Sequence, residues 1–175
     1  MKVWDAIVRL SHGSLLAGVG AAWITSERWT AWHEPVGRAV LAVVALRVVW
    51  GFVGSPYARF AQFVRSPAHT ARYTARLLHR REPRYLGHNP LGGWMVMALL
   101  ATVALAGCSG WLYTTDAFWG DARVENVHNA LAILLLVLVG LHVTGAIVTS
   151  ARHRENLVAA MVHGRKRPPA DDDIA

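Results

Sequence analysis

The segment from Asn126 to Ser150 is the feature that most constrains how this chain can fold. It contains no Asp, Glu, Lys or Arg, and it exceeds the roughly 20 apolar residues that a helix needs to cross a bilayer. It also carries His128 and His142, which are 14 positions apart. At about 100° and 1.5 Å per residue, both imidazoles lie on one face of a helix, roughly 21 Å apart along its axis. Ionisable side chains inside a membrane indicate a functional site.

Three further segments have the composition of membrane spans. Leu86–Thr115 and Leu10–Ser26 also lack charged residues, and Pro35–Gly54 is apolar apart from Arg38 and Arg47. Backbone polar groups in lipid must be hydrogen-bonded within the chain, so single spans form helices. We therefore predict an all-α integral membrane four-helix bundle. The predicted helices are residues 8–26, 33–54, 90–113 and 126–151.

The segments between the spans differ strongly in charge. Residues 1–9, 55–90 and 152–175 contain 14 of the 18 Lys and Arg residues. This positive-inside distribution predicts a multi-pass protein of the bacterial cytoplasmic (inner) membrane with both termini cytoplasmic. The distribution explains the net charge of +7 without nucleic acid as a partner.

The long cytoplasmic loop, residues 55–89, mixes arginines with aromatic and aliphatic residues. Within it, Pro67–Arg81 has the pattern of an amphipathic helix that lies on membrane lipid at the inner leaflet. Asn89 and Pro90 predict the N-cap and first residue of the third long helix. The acidic segment 168–175 is predicted to be a disordered tail, and residues 1–167 to form one domain.

Four histidines fall in pairs at two depths of the predicted bundle. Antiparallel packing brings His12 to the depth of His142, and His33 to the depth of His128. A neutral imidazole is a good iron ligand, and burial keeps histidine neutral. We therefore predict that His12/His142 and His33/His128 are the axial ligands of two haem b groups stacked across the bilayer. Each ligand is expected to donate its other ring N–H to a carbonyl or carboxylate. The third long helix has no histidine and is expected to supply packing only.

Three other residues are candidates for binding the cofactors. Arg47 and Arg38 lie within the second span and would supply counter-charge to haem propionates or edges; the alternative for each is to extend to the membrane surface. His88 lies beside the inner end of the third long helix and is a candidate contact of a haem edge or a quinone. The single cysteine, Cys108, excludes an internal disulfide, and covalent haem attachment is excluded because the chain has no C-x-x-C-H motif.

Eight short segments, spread over nearly the whole chain, together carry a family resemblance. They are Val3-Trp4-Asp5, Arg9 to His12, Trp32-His33-Glu34, Arg47 to Gly54, Tyr85 to Gly93, His128-Asn129, Gly140-Leu141-His142 and His153 to Leu157. In these residues the chain resembles the bacterial cytochrome b561 family and the related b-type cytochrome subunits of nickel-iron hydrogenases and formate dehydrogenases. The resemblance implies that His12 and His142 hold a cytoplasmic-side haem, and that His33 and His128 hold a periplasmic-side haem. It also implies exchange of electrons with quinone.

Bis-histidine ligation leaves no open position on iron, which favours one-electron transfer over oxygen activation. We expect electrons to pass between the quinone pool (ubiquinone or menaquinone) and a periplasmic c-type cytochrome or a dehydrogenase or hydrogenase subunit. One alternative is a superoxide:quinone oxidoreductase, an enzyme in its own right, for which Arg28, Arg38 and Arg123 are the available outer cations. The other is a non-redox anchor or histidine-based metal transporter. The direction of electron flow and the oligomeric state, a homodimer included, stay open.

The purified protein is expected to bind about two haems per chain, since two pairs of imidazoles hold two irons. A pyridine haemochrome assay against protein concentration measures this number, and the reduced spectrum should show b-type α-bands. A folded but colourless preparation would contradict haem ligation and favour the anchor or transporter.

Overall fold

Long apolar helices form most of the structure, a computed structural model that describes residues 1–174. In chain order the helices are α1 (Ala6–Glu27), α2 (Thr30–Val53), α3 (Phe60–Phe63), α4 (Pro67–Leu78), α5 (Pro90–Tyr113), α6 (Ala122–His153) and α7 (Leu157–His163). A 3-10 turn at Pro56–Ala58 precedes α3. By length and composition α1, α2, α5 and α6 can each cross a membrane. The all-α class and the four long apolar helices are therefore confirmed.

The helix ends follow local sequence signals. Asn89 Oδ1 accepts a hydrogen bond from the Gly92 N–H at 2.7 Å, which confirms Asn89 as the N-cap of α5. In contrast, α2 begins at Thr30, earlier than predicted, so Pro35 lies in its second turn. Proline cannot donate a helical hydrogen bond to the carbonyl four residues earlier, a loss that is tolerated close to a helix N-terminus.

Each long helix contributes one part to each of two compact units. The helix unit consists of Leu10–Val48 and Ala98–Val139. The loop unit consists of Met1–Arg9, Val49–Met97 and Gly140–Ala175, and it contains α3, α4 and α7.

Glycines allow close helix contact within the helix unit. A Cβ placed on Gly18 of α1 would lie 2.5 Å from Val40 Cγ2 of α2. A Cβ on Gly107 of α5 would lie 2.5 Å from Leu41 Cγ, again on α2. Since helix association in lipid depends on close van der Waals packing, small residues at such contacts stabilise the bundle. Here they let α2 pack against both α1 and α5.

A small core fills part of the loop unit. Its members are the buried residues Val3, Trp4, Val8 and Ala58, with Trp50, Tyr57 and Met161 packed against them. The Asp5 carboxylate joins this core to the end of α2, because it accepts hydrogen bonds from Trp50 Nε1 at 2.9 Å and Ser55 Oγ at 2.5 Å. Burial alone would raise the pKa of Asp5, but these bonds and one from the Val8 N–H bring the pKa below its usual value.

Buried ion pairs connect the segment before α5 to the segments on either side of α7. Arg84 binds the Glu155 carboxylate with two nitrogens, at 2.7 and 3.2 Å, and also binds Asp173. Lys166 Nζ lies 3.9 Å from Glu155 Oε2, and burial lowers the pKa of Lys166 to about 8. A two-point arginine–carboxylate pair fixes orientation as well as distance. Losing one partner of a buried pair typically costs about 3–5 kcal/mol.

The C-terminal residues pack on the same segment. The Leu86 N–H donates to the Ile174 carbonyl at 2.9 Å, and the Ile174 N–H donates to the Arg84 carbonyl at 2.9 Å. The disorder of residues 168–175 stays a prediction, and Ala175 lies outside the described residues. The contacts of Asp173 and Ile174 show where this segment binds when it is ordered.

Gly164 follows the last residue of α7 and forms hydrogen bonds with the N-terminal segment of the chain. Its carbonyl accepts hydrogen bonds from the Val3 and Trp4 N–H groups at 2.9 and 3.1 Å. Its φ of +80° lies in the left-handed region, and a Cβ there would lie 2.6 Å from the Trp4 carbonyl oxygen. Both the backbone angle and the available space therefore require glycine.

Gly164→Ala should lower the thermal unfolding midpoint in detergent, with a loss of roughly 1–3 kcal/mol from the left-handed conformation and a further loss from the clash. Gly120→Ala is the matched control, because Gly120 has a similar φ of +76° but nothing within 4 Å of its added Cβ. Equal losses in the two variants would show that the contact with Trp4 does not matter.

Candidate functional site

The helix unit brings His33 of α2 and His128 of α6 together. The centres of the two imidazole rings are 6.0 Å apart and their planes meet at 89°. Both residues are half-buried and lie within the first two turns of their helices. Two histidines that are distant in sequence therefore face each other inside the packed helices.

Backbone carbonyls hold both imidazoles through Nδ1. His33 Nδ1 lies 2.9 Å from the Ala22 carbonyl oxygen of α1, and His128 Nδ1 lies 2.9 Å from the Ala106 carbonyl oxygen of α5. A carbonyl only accepts, so in the neutral ring Nδ1 carries the hydrogen and Nε2 keeps its lone pair. This tautomer can bind a metal through Nε2, and a carbonyl partner on the other nitrogen is the usual support for a histidine ligand.

The ring spacing suits a metal ion held between the two imidazoles. Bonds from imidazole nitrogen to a first-row metal such as zinc are about 2 Å long, so two opposed ligands have ring centres roughly 6 Å apart. The observed 6.0 Å agrees with this expectation. The spacing of the two rings therefore fits an iron held between them, and among residues 1–174 no group of three or more His, Cys, Asp or Glu side chains is placed to hold a metal ion.

Helix α5 contributes directly to this pair although it has no histidine. Besides the Ala106 carbonyl, Ser109 Oγ lies 3.3 Å from His128 Nδ1. A Cβ on Gly110 would lie 3.0 Å from Cε1 of the same ring. The expectation that this helix supplies packing only is therefore wrong. The sequence signal was the run of small residues from Ala106 to Gly110, which lets an imidazole approach the backbone.

The other predicted ligands belong to different units. His12 lies in the part of α1 within the helix unit and is exposed, whereas His142 lies in the part of α6 within the loop unit and is half-buried. Their pairing stays a prediction.

The two arginines of α2 have different surroundings. Arg47 is buried, with 6% of its surface exposed. The Arg38 side chain is 62% exposed and pairs with Glu34 one turn earlier. Because Arg47 is buried within an apolar helix and Arg38 is largely exposed, Arg47 is the stronger candidate for contact with an anionic group inside a membrane.

His88 lies in the loop unit in contact with two aromatic rings. Its ring centre is 4.7 Å from that of Trp4 and 4.7 Å from that of Phe63, with the planes tilted by 53° and 51°. A cationic Lys166 Nζ lies 5.8 Å from the centre of the Trp4 ring. The contact of His88 with a haem edge or quinone stays a prediction.

Comparison with known proteins identifies a family and two similar proteins. Residues 3–164 match the family described as prokaryotic cytochrome b561. Two similar curated proteins are named "Probable Ni/Fe-hydrogenase B-type cytochrome subunit". The one from Rhizobium leguminosarum bv. viciae is 25% identical over 77% of this chain and 66% of its own length. The one from Bradyrhizobium diazoefficiens is 24% identical over 77% of this chain and 65% of its own length. The chain thus spans just under two thirds of these relatives, and no solved structure matches it significantly.

Gly110→Ala should disturb only the haem predicted at His128, because the added methyl group meets that ring. We expect both haems to be retained, with a shift in the reduction potential or low-spin resonance signal of one. Redox titration and electron paramagnetic resonance measure this. Cys108→Ala, on an exposed position of the same helix, is the control. Identical potentials and signals in Gly110→Ala and the unmodified protein would contradict the contact.

Proposed function

Because the chain belongs to the prokaryotic cytochrome b561 family, we propose that it is a di-haem b-type cytochrome that carries electrons across the cytoplasmic membrane. The observation that supports this most is the His33–His128 pair, with ring centres 6.0 Å apart and both Nδ1 atoms bound by helix carbonyls. When bound, haem supplies reversible one-electron chemistry that the side chains lack. His33 and His128 would hold such a haem between them, and two histidine ligands would favour electron transfer over reaction at iron.

The protein groups around the outer pair position the ligands before iron binds. Hydrogen bonds to Ala22 and Ala106 select one tautomer and restrict ring rotation. The two imidazoles would therefore need little rearrangement to hold a haem iron.

The inner haem would be held by His12 and His142, at the depth that helix periodicity assigns to both. Arg47 is the proposed counter-charge of a propionate, and its burial in an apolar span supports a role beyond the membrane surface. Arg38 is the second candidate. We propose that quinone, ubiquinone or menaquinone, exchanges electrons near the inner haem and that His88 lies close to this exchange site.

We propose a hydrogenase as the periplasmic partner. This rests on two relatives whose names describe B-type cytochrome subunits of Ni/Fe hydrogenase. A c-type cytochrome or another dehydrogenase subunit would use the same outer haem. Hydrogen-dependent haem reduction in membranes that contain this chain, with and without an added Ni/Fe hydrogenase, distinguishes these partners.

The structure gives no support to the two alternatives. Of the three outer cations available to attract superoxide, Arg38 pairs with Glu34, and Arg123 pairs with Asp121 at 2.9 Å. Structural zinc sites need about four ligands. Among residues 1–174, no group of three or more His, Cys, Asp or Glu side chains is placed to hold a metal ion.

His128→Ala and His142→Ala should each lose about one of the two haems, because each removes an axial ligand of a different iron. Pyridine haemochrome assay and reduced spectra measure the loss. The exposed His163 of α7 provides the control variant, His163→Ala.

In proteoliposomes, added quinol should reduce both haems of the unmodified protein and deliver electrons to a membrane-impermeant oxidant on the periplasmic side. His128→Ala should keep quinol-dependent reduction of the inner haem and lose delivery across the membrane. Retention of both haems in either histidine variant would exclude the pairing.

A further inference from the structure

The loop unit contains a cavity of about 330 Å³ that none of the proposed haem or quinone residues lines. One wall is formed by α4 and another by residues 83 and 85 with Ile174. Its polar lining is His69, Arg72, Tyr73, Arg76 and Tyr85. The volume lies at the small end of the range for ligand pockets, about 300–1,000 Å³.

Two positive charges in this lining have no ion-pair partner among residues 1–174. Arg72 and Arg76 are one helical turn apart and therefore on the same face of α4. Neither side chain forms an ion pair or hydrogen bond with another described residue. Like charges at this spacing repel each other, so an anion bound by both would stabilise the pair.

Three carboxylates of this unit are paired with other cations. Arg84 binds Glu155 and Asp173, and Arg152 binds Glu82 at 2.7 Å. No Asp or Glu is among the residues that line the cavity. The lining is therefore basic, and Glu82, Glu155 and Asp173 are engaged with cations outside it.

The remaining polar groups of the lining contact one another. His69 Nε2 lies 3.1 Å from the Tyr85 hydroxyl, and the Tyr73 and Tyr85 rings meet edge to face at 5.6 Å. Burial raises the pKa of Tyr73 to about 12 and also raises the pKa of Tyr85. Both phenols stay protonated at neutral pH and add no negative charge.

We propose that this cavity binds a phosphate ester, with Arg72 and Arg76 as its charged contacts. Guanidinium groups bind phosphate oxygens through parallel, charge-assisted hydrogen bonds. Pro83 and Ile174 give the cavity an apolar wall, which suits the carbon side of an ester better than inorganic phosphate. Both an anionic phospholipid headgroup and a soluble phosphate ester present this chemistry.

The surroundings of α4 favour the lipid as the source. Leu78, two residues after Arg76, is 79% exposed, so α4 presents an apolar side chain beside the basic face. Helices of this kind bind at the membrane surface, and basic pockets on the cytoplasmic side of membrane proteins bind anionic headgroups. The proposal does not depend on haem ligation.

Native mass spectrometry of the haem-loaded full chain tests this site, with phosphatidylglycerol, phosphatidylcholine or glycerol 3-phosphate as the added probe. We expect phosphatidylglycerol to bind at least about tenfold more tightly than phosphatidylcholine, a difference of roughly 1.4 kcal/mol. The double variant Arg72→Gln/Arg76→Gln should lose this preference, and Arg72→Lys/Arg76→Lys should keep part of it. Unchanged haem content and helical circular dichroism show that each variant is folded.

The matched control is Arg80→Gln/Arg81→Gln, which removes the same charge from exposed positions outside the cavity. It should change binding by less than about twofold, well under 1 kcal/mol. Binding of glycerol 3-phosphate with the same dependence on Arg72 and Arg76 would support the site and assign it to a soluble ester. Equal losses in both double variants, or equal binding of the two lipids with no binding of glycerol 3-phosphate, would overturn the proposal.

Discussion

The site depends on one type of interaction, the hydrogen bond between an imidazole Nδ1–H and a helix carbonyl. A histidine in an apolar bundle has two polar nitrogens, and neither can be left to water. In His33 and His128 one nitrogen is satisfied by the protein, through Ala22 and Ala106. The other nitrogen keeps its lone pair and is the atom to which the proposed haem iron would bind. The need to satisfy polar groups in an apolar environment thus accounts for the tautomer that the proposed ligation requires.

The two units use different forces. In the helix unit, glycine contacts such as Gly18–Val40 and Gly107–Leu41 bring helices close, and dispersion forces supply the stabilisation. In the loop unit, buried charges meet in pairs, and Arg84 orients two carboxylates. Close packing stabilises the helix unit without help from water. The ion pairs stabilise the loop unit, which we expect to meet lipid headgroups and water.

Much of the fold follows from the sequence because long charge-free runs have one structural solution in lipid. The four long helices, the N-cap at Asn89 and the helix at Pro67–Leu78 all carry local signals that tertiary contacts do not override. The role of α5 is different, because backbone carbonyls are present at every residue and carry no sequence signature. Only the small residues from Ala106 to Gly110 indicate that something approaches that helix.

The ion pairs of the loop unit could likewise not be predicted from the sequence. Arg84 and Glu155 are 71 positions apart, and nothing in either segment identifies the other as its partner. The same is true of Ile174, whose strand-like bonds to residues 84 and 86 join the acidic segment to the loop. Long-range pairings of this kind arise from the packed fold, whereas composition reports only average polarity.

The acceptors of the imidazole bonds have a consequence for how such a protein can diverge. Both are main-chain oxygens, so replacing the side chains at positions 22 and 106 leaves the acceptors in place. What cannot change is register: inserting one residue between Gly18 and Ala22 would turn the acceptor about 100° around the α1 axis and away from His33. Selection would therefore act on the number of residues between the helix contact at Gly18 and the carbonyl at position 22. Sequence identity could fall far while the hydrogen bonds to the proposed haem ligands are kept.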